Sequence, residues 1–366
     1  MNWSESESTD ISLFRSYPEL ARKLPYINLG VWPTPVHPLN CLGIEDLWIK
    51  RDDQSSPVYG GNKIRKLAFI LAEARRRKAR HLITLGGIGT HHGLACALFS
   101  HQLGISCTLL LYHQPVTVSV KRNLLLLQKY GARLVYEKRL WRTMAGYYLL
   151  WRIRFPSAYY VYPGGSSALG SIGYVDAAFE LKDQIDRGVL PEPAVIFCPL
   201  GSGGSLAGLS LGLQLAGVNT RVVGVRVIAS HMGPFPACTA GTVAKQIKHA
   251  YGYLKKRCQD LPAVSIRVPA ILNGFFGRGY GMPSTAGTGA HRLMKEKQGI
   301  ELEPTYTAKT FAAVLEYCRS RQRGRGPVLY WHTYNSVDLS AQAEDVDYRA
   351  LPRPLQRFIE QKPVAC

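Results

Sequence analysis

Apolar positions along this chain follow two spacings, which alternate. Short runs such as Leu47-Trp48-Ile49-Lys50 and Leu82-Ile83-Thr84-Leu85 read as buried strands, and so do residues 107–112, 133–136, 159–162, 194–198, 221–227 and 328–331. Residues 93–102, 121–130, 141–153, 172–185 and 243–254 lie between such runs and read as helices. The sharpest helical pattern follows Tyr59-Gly60-Gly61-Asn62-Lys63. There Ile64, Leu67, Leu71 and Ala74 recur at three- and four-residue steps and line one face. Strands alternating with helices predict βαβ units, with parallel pairing, right-handed crossovers and helices on both sheet faces. Ahead of this pattern, residues 1–25 read as a partly ordered lead-in with a short helix. Trp32-Pro33-Thr34-Pro35 reads as extended, because each proline restricts itself and the residue before it. The polar, proline-containing stretch from Ala341 reads as peripheral.

Composition narrows the class. At 366 residues and 46% hydrophobic, the chain can bury one large core or two ordinary ones, on a prior of roughly 150 residues per domain. The 45 Lys and Arg against 25 Asp and Glu give a formal charge of +20, which favours anionic partners at long range. The basic runs 75–80, 255–257 and 319–325 read as solvated helix ends, and no aromatic ladder is interleaved with them. A nucleic-acid partner is therefore not expected. The eight cysteines are scattered without a Cys-x-x-Cys pair, which fits neither a zinc site nor a disulfide framework, and a reducing cytoplasm is the simplest setting. Met1 to Asp10 is polar and acidic, unlike a secretory signal, and no apolar run approaches the ~20 residues that span a bilayer. A membrane partner is not expected.

Three stretches carry candidate chemistry. Lys63, behind two glycines at a helix start, suits a lysine that forms a Schiff base with a carbonyl cofactor, though taken alone it reads first as a solvated first-turn lysine. Gly201-Ser202-Gly203-Gly204-Ser205 lies where a strand hands over to a helix. Glycines there let backbone N–H groups converge on an anion, the helix N-terminus adds positive potential, and the two serines add hydroxyl donors. The loop lacks the lysine of a nucleoside-triphosphate cradle. Gly86-Gly87-Ile88-Gly89-Thr90-His91-His92 follows another strand and brings a hydroxyl and two imidazoles to a sheet edge, where open α/β folds place ligands. Adjacent histidines without a third ligand do not suggest zinc, so no metal is expected. Tyr280 and Tyr306 each sit in a turn, His332 follows a strand, and all three are uninformative singly.

A lysine, a phosphate cradle and a polar edge for a ring are together what pyridoxal 5'-phosphate needs. In order, Trp32-Pro33-Thr34-Pro35, Ile49-Lys50-Arg51-Asp52-Asp53, Gly60-Gly61-Asn62-Lys63-Ile64-Arg65-Lys66 and Gly86-Gly87-Ile88 resemble the 1-aminocyclopropane-1-carboxylate deaminase / D-cysteine desulfhydrase family. The resemblance continues through Pro163-Gly164-Gly165, residues 200–205, Tyr280-Gly281-Met282-Pro283 and Pro304-Thr305-Tyr306-Thr307. It implies a fold type II α/β enzyme of two open, twisted, mostly parallel sheets with helices on both faces. A large cofactor-binding domain (1–66 and 168–345), a smaller α/β domain (67–167) and a C-terminal tail (346–366) are expected. The resemblance implies that Lys63 holds the cofactor and shuttles the α-proton, and that Gly201, Ser202, Gly203, Gly204 and Ser205 bind its phosphate. Thr90 falls at the position of a serine near the substrate carboxylate, Tyr280 and Tyr306 at two active-site tyrosines, and Thr307 at the partner of the pyridine nitrogen. Asn62 and His91 are placed at the cofactor. His91 stands where the family has asparagine, His92 where it has glutamine or histidine, and Tyr334-Asn335 where it has Gly-Gly. The neutral hydroxyl of Thr307, where the deaminase has glutamate, and the pair His332-Thr333 both look like the desulfhydrase side. The implied reaction is α,β-elimination from a small amino acid, with D-cysteine giving pyruvate, sulfide and ammonia. The cyclopropane deaminase reaction, or a cofactor-binding homologue with impaired catalysis, are the alternatives. Members of the family are commonly homodimers.

Overall fold

A computed structural model describes Ile11 to Met232, Phe235 to Ser320 and Gly326 to Val364. The acidic N-terminal decapeptide and most of the basic run 319–325 lie outside the described residues. The chain divides into two compact units, the first from residues up to Phe69 with Ser166–Val337, the second from Ile70–Gly165 with residues from Asp338 onward.

Unit 1 is built on a six-stranded sheet. Its strands, in spatial order, are Val36–Pro38, Leu47–Arg51, Val328–His332, Val195–Leu200, Arg221–Arg226 and Ala270–Leu272. All neighbours run parallel except the first pair. Parallel strands covered on both faces are apolar throughout. Val195–Leu200 and Val328–His332 are accordingly buried at every position. One face packs the helices Thr285–Gln298 and Thr307–Arg319 around Phe311, Val314, Ala290 and Met294. The helices Ala168–Asp186 and Gly204–Leu215 pack on each other so closely that a Cβ on Gly208 would come 2.1 Å from the Ser171 carbonyl oxygen.

Unit 2 carries a four-stranded parallel sheet ordered Arg133–Lys138, Ser106–Tyr112, His81–Gly87, Tyr159–Tyr160. The helices His91–Gln102 and Val118–Lys129 belong to it, each started by a threonine (Thr90, Thr117) whose hydroxyl accepts from a backbone N–H in the first turn. The stretch read as one helix over 141–153 is interrupted. It runs as α-helix Leu140–Ala145, a single π turn Gly146–Leu150, and α-helix Trp151–Arg154. The C-terminal residues fold onto this unit. Lys121 Nζ donates to the Ile359 carbonyl oxygen at 2.6 Å, Val364 N to that of Val116 at 2.8 Å, and Phe358 packs on His113 and Tyr136.

Cys96, Cys107, Cys198, Cys238 and Cys258 are buried and unbridged, as small apolar side chains. Among the described residues, no helix is long and apolar enough to cross a membrane.

Candidate active site

In unit 1, three adjacent parallel strands end on one edge of the sheet. Leu47–Arg51 runs out into Asp52-Asp53, Val328–His332 into Thr333, and Val195–Leu200 into the glycine loop. The carboxyl edge is where open parallel sheets gather ligands. The turn before Lys63 is stitched to these ends. Gly61 N donates to the Asp52 carbonyl at 2.8 Å and Asn62 N to that of Thr333 at 3.1 Å. Gly61 has φ +90°, and a Cβ there would come 2.8 Å from the Thr333 carbonyl oxygen, so the tight approach needs glycine. The helix Asn62–Arg76 opens directly after it.

Lys63 is half-buried, and its Nζ donates to Asn62 Oδ1 at 2.8 Å. The Asn62 amide donates onward to Ser205 Oγ at 3.1 Å. The structure thus joins Lys63 to a loop some 140 residues away in sequence by two hydrogen bonds. Gly203 takes φ +89° at the cap position of Gly204–Leu215 and supplies no side chain to it, so acceptors for the first amides come from outside the helix. Gln246 Nε2 holds the loop by donating to the Ser202 carbonyl at 2.8 Å.

Ser166 and Lys66, which pattern reading did not single out, complete this corner. Ser166 Oγ lies 2.7 Å from Ser202 Oγ and accepts from Gly204 N at 3.2 Å and Lys66 Nζ at 3.4 Å. Lys66 is buried. Burial pushes its ammonium well below the ordinary lysine range, and the nearby Lys63 pushes the same way, against Cys198. The Lys63-x-x-Lys66 spacing was the available signal, since residues three apart share a helix face. Backbone amides at the helix start, three serine hydroxyls and the nearby Lys66 nitrogen make a donor set suited to a phosphate monoester, which offers only acceptors and negative charge. The residues therefore fit the phosphate of pyridoxal phosphate.

Two further candidates come together nearby. Tyr306 Oη donates to Tyr280 Oη at 3.2 Å, with the rings edge to face. A Cβ on Gly201 would come 3.0 Å from Tyr306 Cε1, which sets this ring beside the glycine loop. The Tyr280 turn is held by buried Lys309, whose Nζ donates to the Phe276 carbonyl at 2.7 Å. Thr307, also buried, accepts from Glu303 N at 2.7 Å and donates to the Glu303 carbonyl at 3.3 Å. Burial raises the Glu303 carboxyl, which accepts from Thr305 N and Tyr306 N at 2.8 Å and so folds back onto its own loop.

His332 is neutral at pH 7. Burial lowers it to about 4 against the pull of Asp53, whose carboxylate lies 3.9 Å from Nε2. Tyr330 Oη donates to the Thr307 carbonyl at 3.1 Å, so the contact of that hydroxyl with His332 Nδ1 at 3.2 Å makes Nδ1 the donor. Asn335 is turned onto the Lys63 turn, where its Oδ1 accepts from Gly60 N at 2.6 Å.

Thr90, His91 and His92 belong to unit 2. Thr90 Oγ1 accepts from Gly93 N at 3.1 Å as a helix cap. His91 Nδ1 lies 3.3 Å from the Asn123 amide, which donates to the Gly89 carbonyl at 2.9 Å. His92 is buried with Nε2 3.0 Å from Thr84 Oγ1, and Thr84 donates to the Val161 carbonyl, so His92 is the donor.

Beneath Lys63 lies a buried network that sequence reading missed. Arg65 grips Asp52 through Nε and Nη2 at 2.8–3.1 Å and Glu180 through Nη1 and Nη2 at 2.9–3.0 Å, and it stacks over Trp32. Lys50 Nζ donates to Glu180 Oε1 at 2.5 Å, to the Thr34 carbonyl at 2.6 Å and to Gln184 Oε1 at 2.7 Å. Tyr174 and Trp331 donate to Asp52 Oδ2 at 2.7 and 2.8 Å. Burial lowers Lys50, yet Glu180 is held at about 2, because Arg65 and Lys50 overcome its own burial cost. Three acceptors around Nζ favour a charged Lys50.

A fold and site of this kind define an enzyme that anchors a phosphorylated carbonyl cofactor beside a lysine. Residues 27–333 match the pyridoxal-phosphate dependent enzyme family, and the chain belongs to it. It is 30% identical to the D-cysteine desulfhydrase of Serratia proteamaculans over 330 residues, 87% of this chain and 96% of that one. It is 32% identical over 330 residues to a Thermotoga maritima protein provisionally named a 1-aminocyclopropane-1-carboxylate deaminase, covering 87% and 98% of the two chains. Among solved structures, an ACC deaminase homologue matches with TM-score 0.74 and 27% identity over 92% of this chain and 98% of that one. A tomato threonine deaminase, at TM-score 0.61 and 16% identity over 91% and 92% of the two chains, shares the fold. The fold is that of fold type II pyridoxal-phosphate enzymes, as expected.

Proposed function

We propose that this enzyme catalyses α,β-elimination with release of ammonia from a small amino acid, with D-cysteine as the favoured substrate, giving pyruvate, sulfide and ammonia. The observation that carries the reading is the hydrogen-bonded line from Lys63 Nζ through Asn62 to Ser205 of the anion cradle. Pyridoxal phosphate, when bound, supplies an electron sink for charge developing at the substrate α-carbon. The cradle of Gly201, Ser202, Gly203, Gly204 and Ser205 binds the phosphate, with Ser166 and Lys66 beside it. Lys63 carries the cofactor link and moves the α-proton. In the Tyr280–Tyr306 pair Tyr306 donates to Tyr280 across 3.2 Å, and the Tyr280 hydroxyl can pass its own proton to a departing thiolate. Thr307 would meet the pyridine nitrogen with its hydroxyl, turning it away from the Glu303 carbonyl to do so. That group supplies no full charge, and loss of a good β-leaving group tolerates the weaker sink. The side chain of Asn335, spent on Gly60, leaves Tyr334 as the bulk that tunes substrate size. Thr90 and His91 are proposed to meet the substrate carboxylate and the cofactor ring. The enzyme is proposed to be a homodimer, a state that light scattering reads directly.

One assay tests the reaction. Pyruvate and sulfide are measured from D-cysteine and L-cysteine, and deamination from 1-aminocyclopropane-1-carboxylate, with wild type and Lys63→Ala side by side. The expected result is turnover of D-cysteine above the others, with Lys63→Ala losing both turnover and the visible band of lysine-bound cofactor. A cofactor band with no product from any of the three refutes the elimination reading. Turnover of the cyclopropane substrate alone assigns the deaminase reaction instead.

A further inference from the structure

The interrupted helix of unit 2 has an outer face unlike that of an ordinary surface helix. Its inner residues Tyr147 and Trp151 are buried with Ile83, Leu85 and Leu110. On the outside, Trp141 is 63% exposed, Leu149 63%, Leu150 67% and Ile153 80%, with Tyr148 at 39%. A surface helix normally presents polar residues there. The π turn Gly146–Leu150 inserts an extra residue, and Tyr148, Leu149 and Leu150 stand exposed in succession.

The charge around this face is one-sided. Residues 139–158 contain Arg139, Arg142, Arg152 and Arg154 and no aspartate or glutamate. Arg139, Arg142 and Arg154 are exposed, while Arg152 lies half-buried over the Tyr160 ring at 4.4 Å. Pairing this face with a second copy of itself would set arginines against arginines, and like-charge juxtaposition opposes association. Exposed aliphatic side chains beside Trp and Tyr, fringed by arginines whose stems can lie along an apolar layer, match a helix seated in a lipid headgroup boundary. The +20 formal charge of the chain draws it to such a surface when the lipids are anionic.

We propose that the Leu140–Arg154 segment docks this enzyme on an anionic membrane surface, lying in the interface without spanning it. That no helix among the described residues is long and apolar enough to span is no obstacle, since the segment needs only to insert its side chains. The proposal is independent of the reaction assigned to the site.

The test is sedimentation of the cofactor-loaded full chain with vesicles of phosphatidylcholine alone and of phosphatidylcholine with phosphatidylglycerol in equal parts. The wild type is expected to sediment with the anionic vesicles, to leave them as salt rises, and to ignore the neutral ones. Leu149→Glu/Leu150→Glu/Ile153→Glu is expected to weaken partitioning about a thousandfold, at about tenfold for each aliphatic side chain withdrawn. Arg142→Gln/Arg154→Gln is expected to weaken it by about 25-fold, at about fivefold per charge near the surface. All five positions are exposed, so melting temperature and turnover should match wild type. No wild-type binding to anionic vesicles, or full binding by both variants, overturns the proposal. So does a triple variant that dissociates the oligomer, or one that loses an acidic protein partner while wild type ignores lipid, since either assigns the face to protein.

Discussion

Replacing Glu180 by glutamine removes one of two carboxylates that balance two buried cations, Lys50 and Arg65. The glutamine has nearly the same shape but cannot accept from Lys50, Thr34 and both Arg65 nitrogens with a full charge. Asp52 then stands alone against two cations in a place where all four side chains are almost fully buried. Leaving an uncompensated buried charge costs about 3–5 kcal/mol. The carboxyl itself gives a second route to the number. Held at about 2 against an ordinary 4.5, it is displaced by about 2.5 pH units, or about 3 kcal/mol. A lowered carboxyl contributes stability that is present above pH 4.5 and lost as pH falls through about 2. Urea unfolding at pH 7 should therefore show Glu180→Gln less stable by about 3–5 kcal/mol, with the gap closing below pH 4.5. Lys50→Met/Glu180→Gln, which restores charge balance, should recover at least half of the loss. Arg65 lies two residues beyond Lys63 on the same helix, so kcat should fall with the single variant as well. A loss under about 1 kcal/mol, or a double variant no better than the single, refutes the reasoning.

Two other outcomes follow from the geometry. Gly204→Ala puts a Cβ 2.6 Å from Ser166 Oγ and 2.9 Å from its Cα, so a cofactor titration followed by visible absorbance should weaken at least about tenfold. Unchanged affinity would remove that corner from the phosphate site. Asp176 is pushed up to about 7 by burial first and then by Glu180, against the Leu13 N–H that it accepts at 2.9 Å. The folded protein keeps this proton up to about 7 while the unfolded chain releases it near 3.8, so this group makes stability fall as pH rises between those values. Asp176→Asn should gain on wild type across that window, by about 4 kcal/mol at most for a displacement of about 3 pH units. A difference that does not change between pH 4 and pH 8 refutes it.

Much of the architecture was legible because it repeats at short range. Ile64, Leu67, Leu71 and Ala74, spaced as one helix face, are all buried on Asn62–Arg76. The runs 194–198, 221–227 and 328–331 became the strands Val195–Leu200, Arg221–Arg226 and Val328–His332. In the run 75–80 every basic residue is exposed as expected, although Arg76 and Arg77 also pair with the nearly buried Glu73. Short edge strands escaped notice. Val36–Pro38 and Ala270–Leu272 hold three residues each, too few to show a period. The helices Thr285–Gln298 and Thr307–Arg319 were hidden behind turn motifs at their starts.

By itself, the sequence determined where a lysine could open a helix and where glycines could bare a strand-to-helix turn. Both depend on neighbours along the chain, through backbone freedom and side-chain period. Only the tertiary structure decided that Lys63 reaches Ser205 through Asn62, that Lys66 and Ser166 join the cradle, and that Tyr280 meets Tyr306. The same holds for Arg65, which finds Glu180 across 115 positions, and for Lys309, which closes the Tyr280 turn from 33 positions away. Such partners carry no local signature. A buried cation needs some carboxylate or carbonyl nearby, and which one it receives is settled by how the strands order themselves in the sheet.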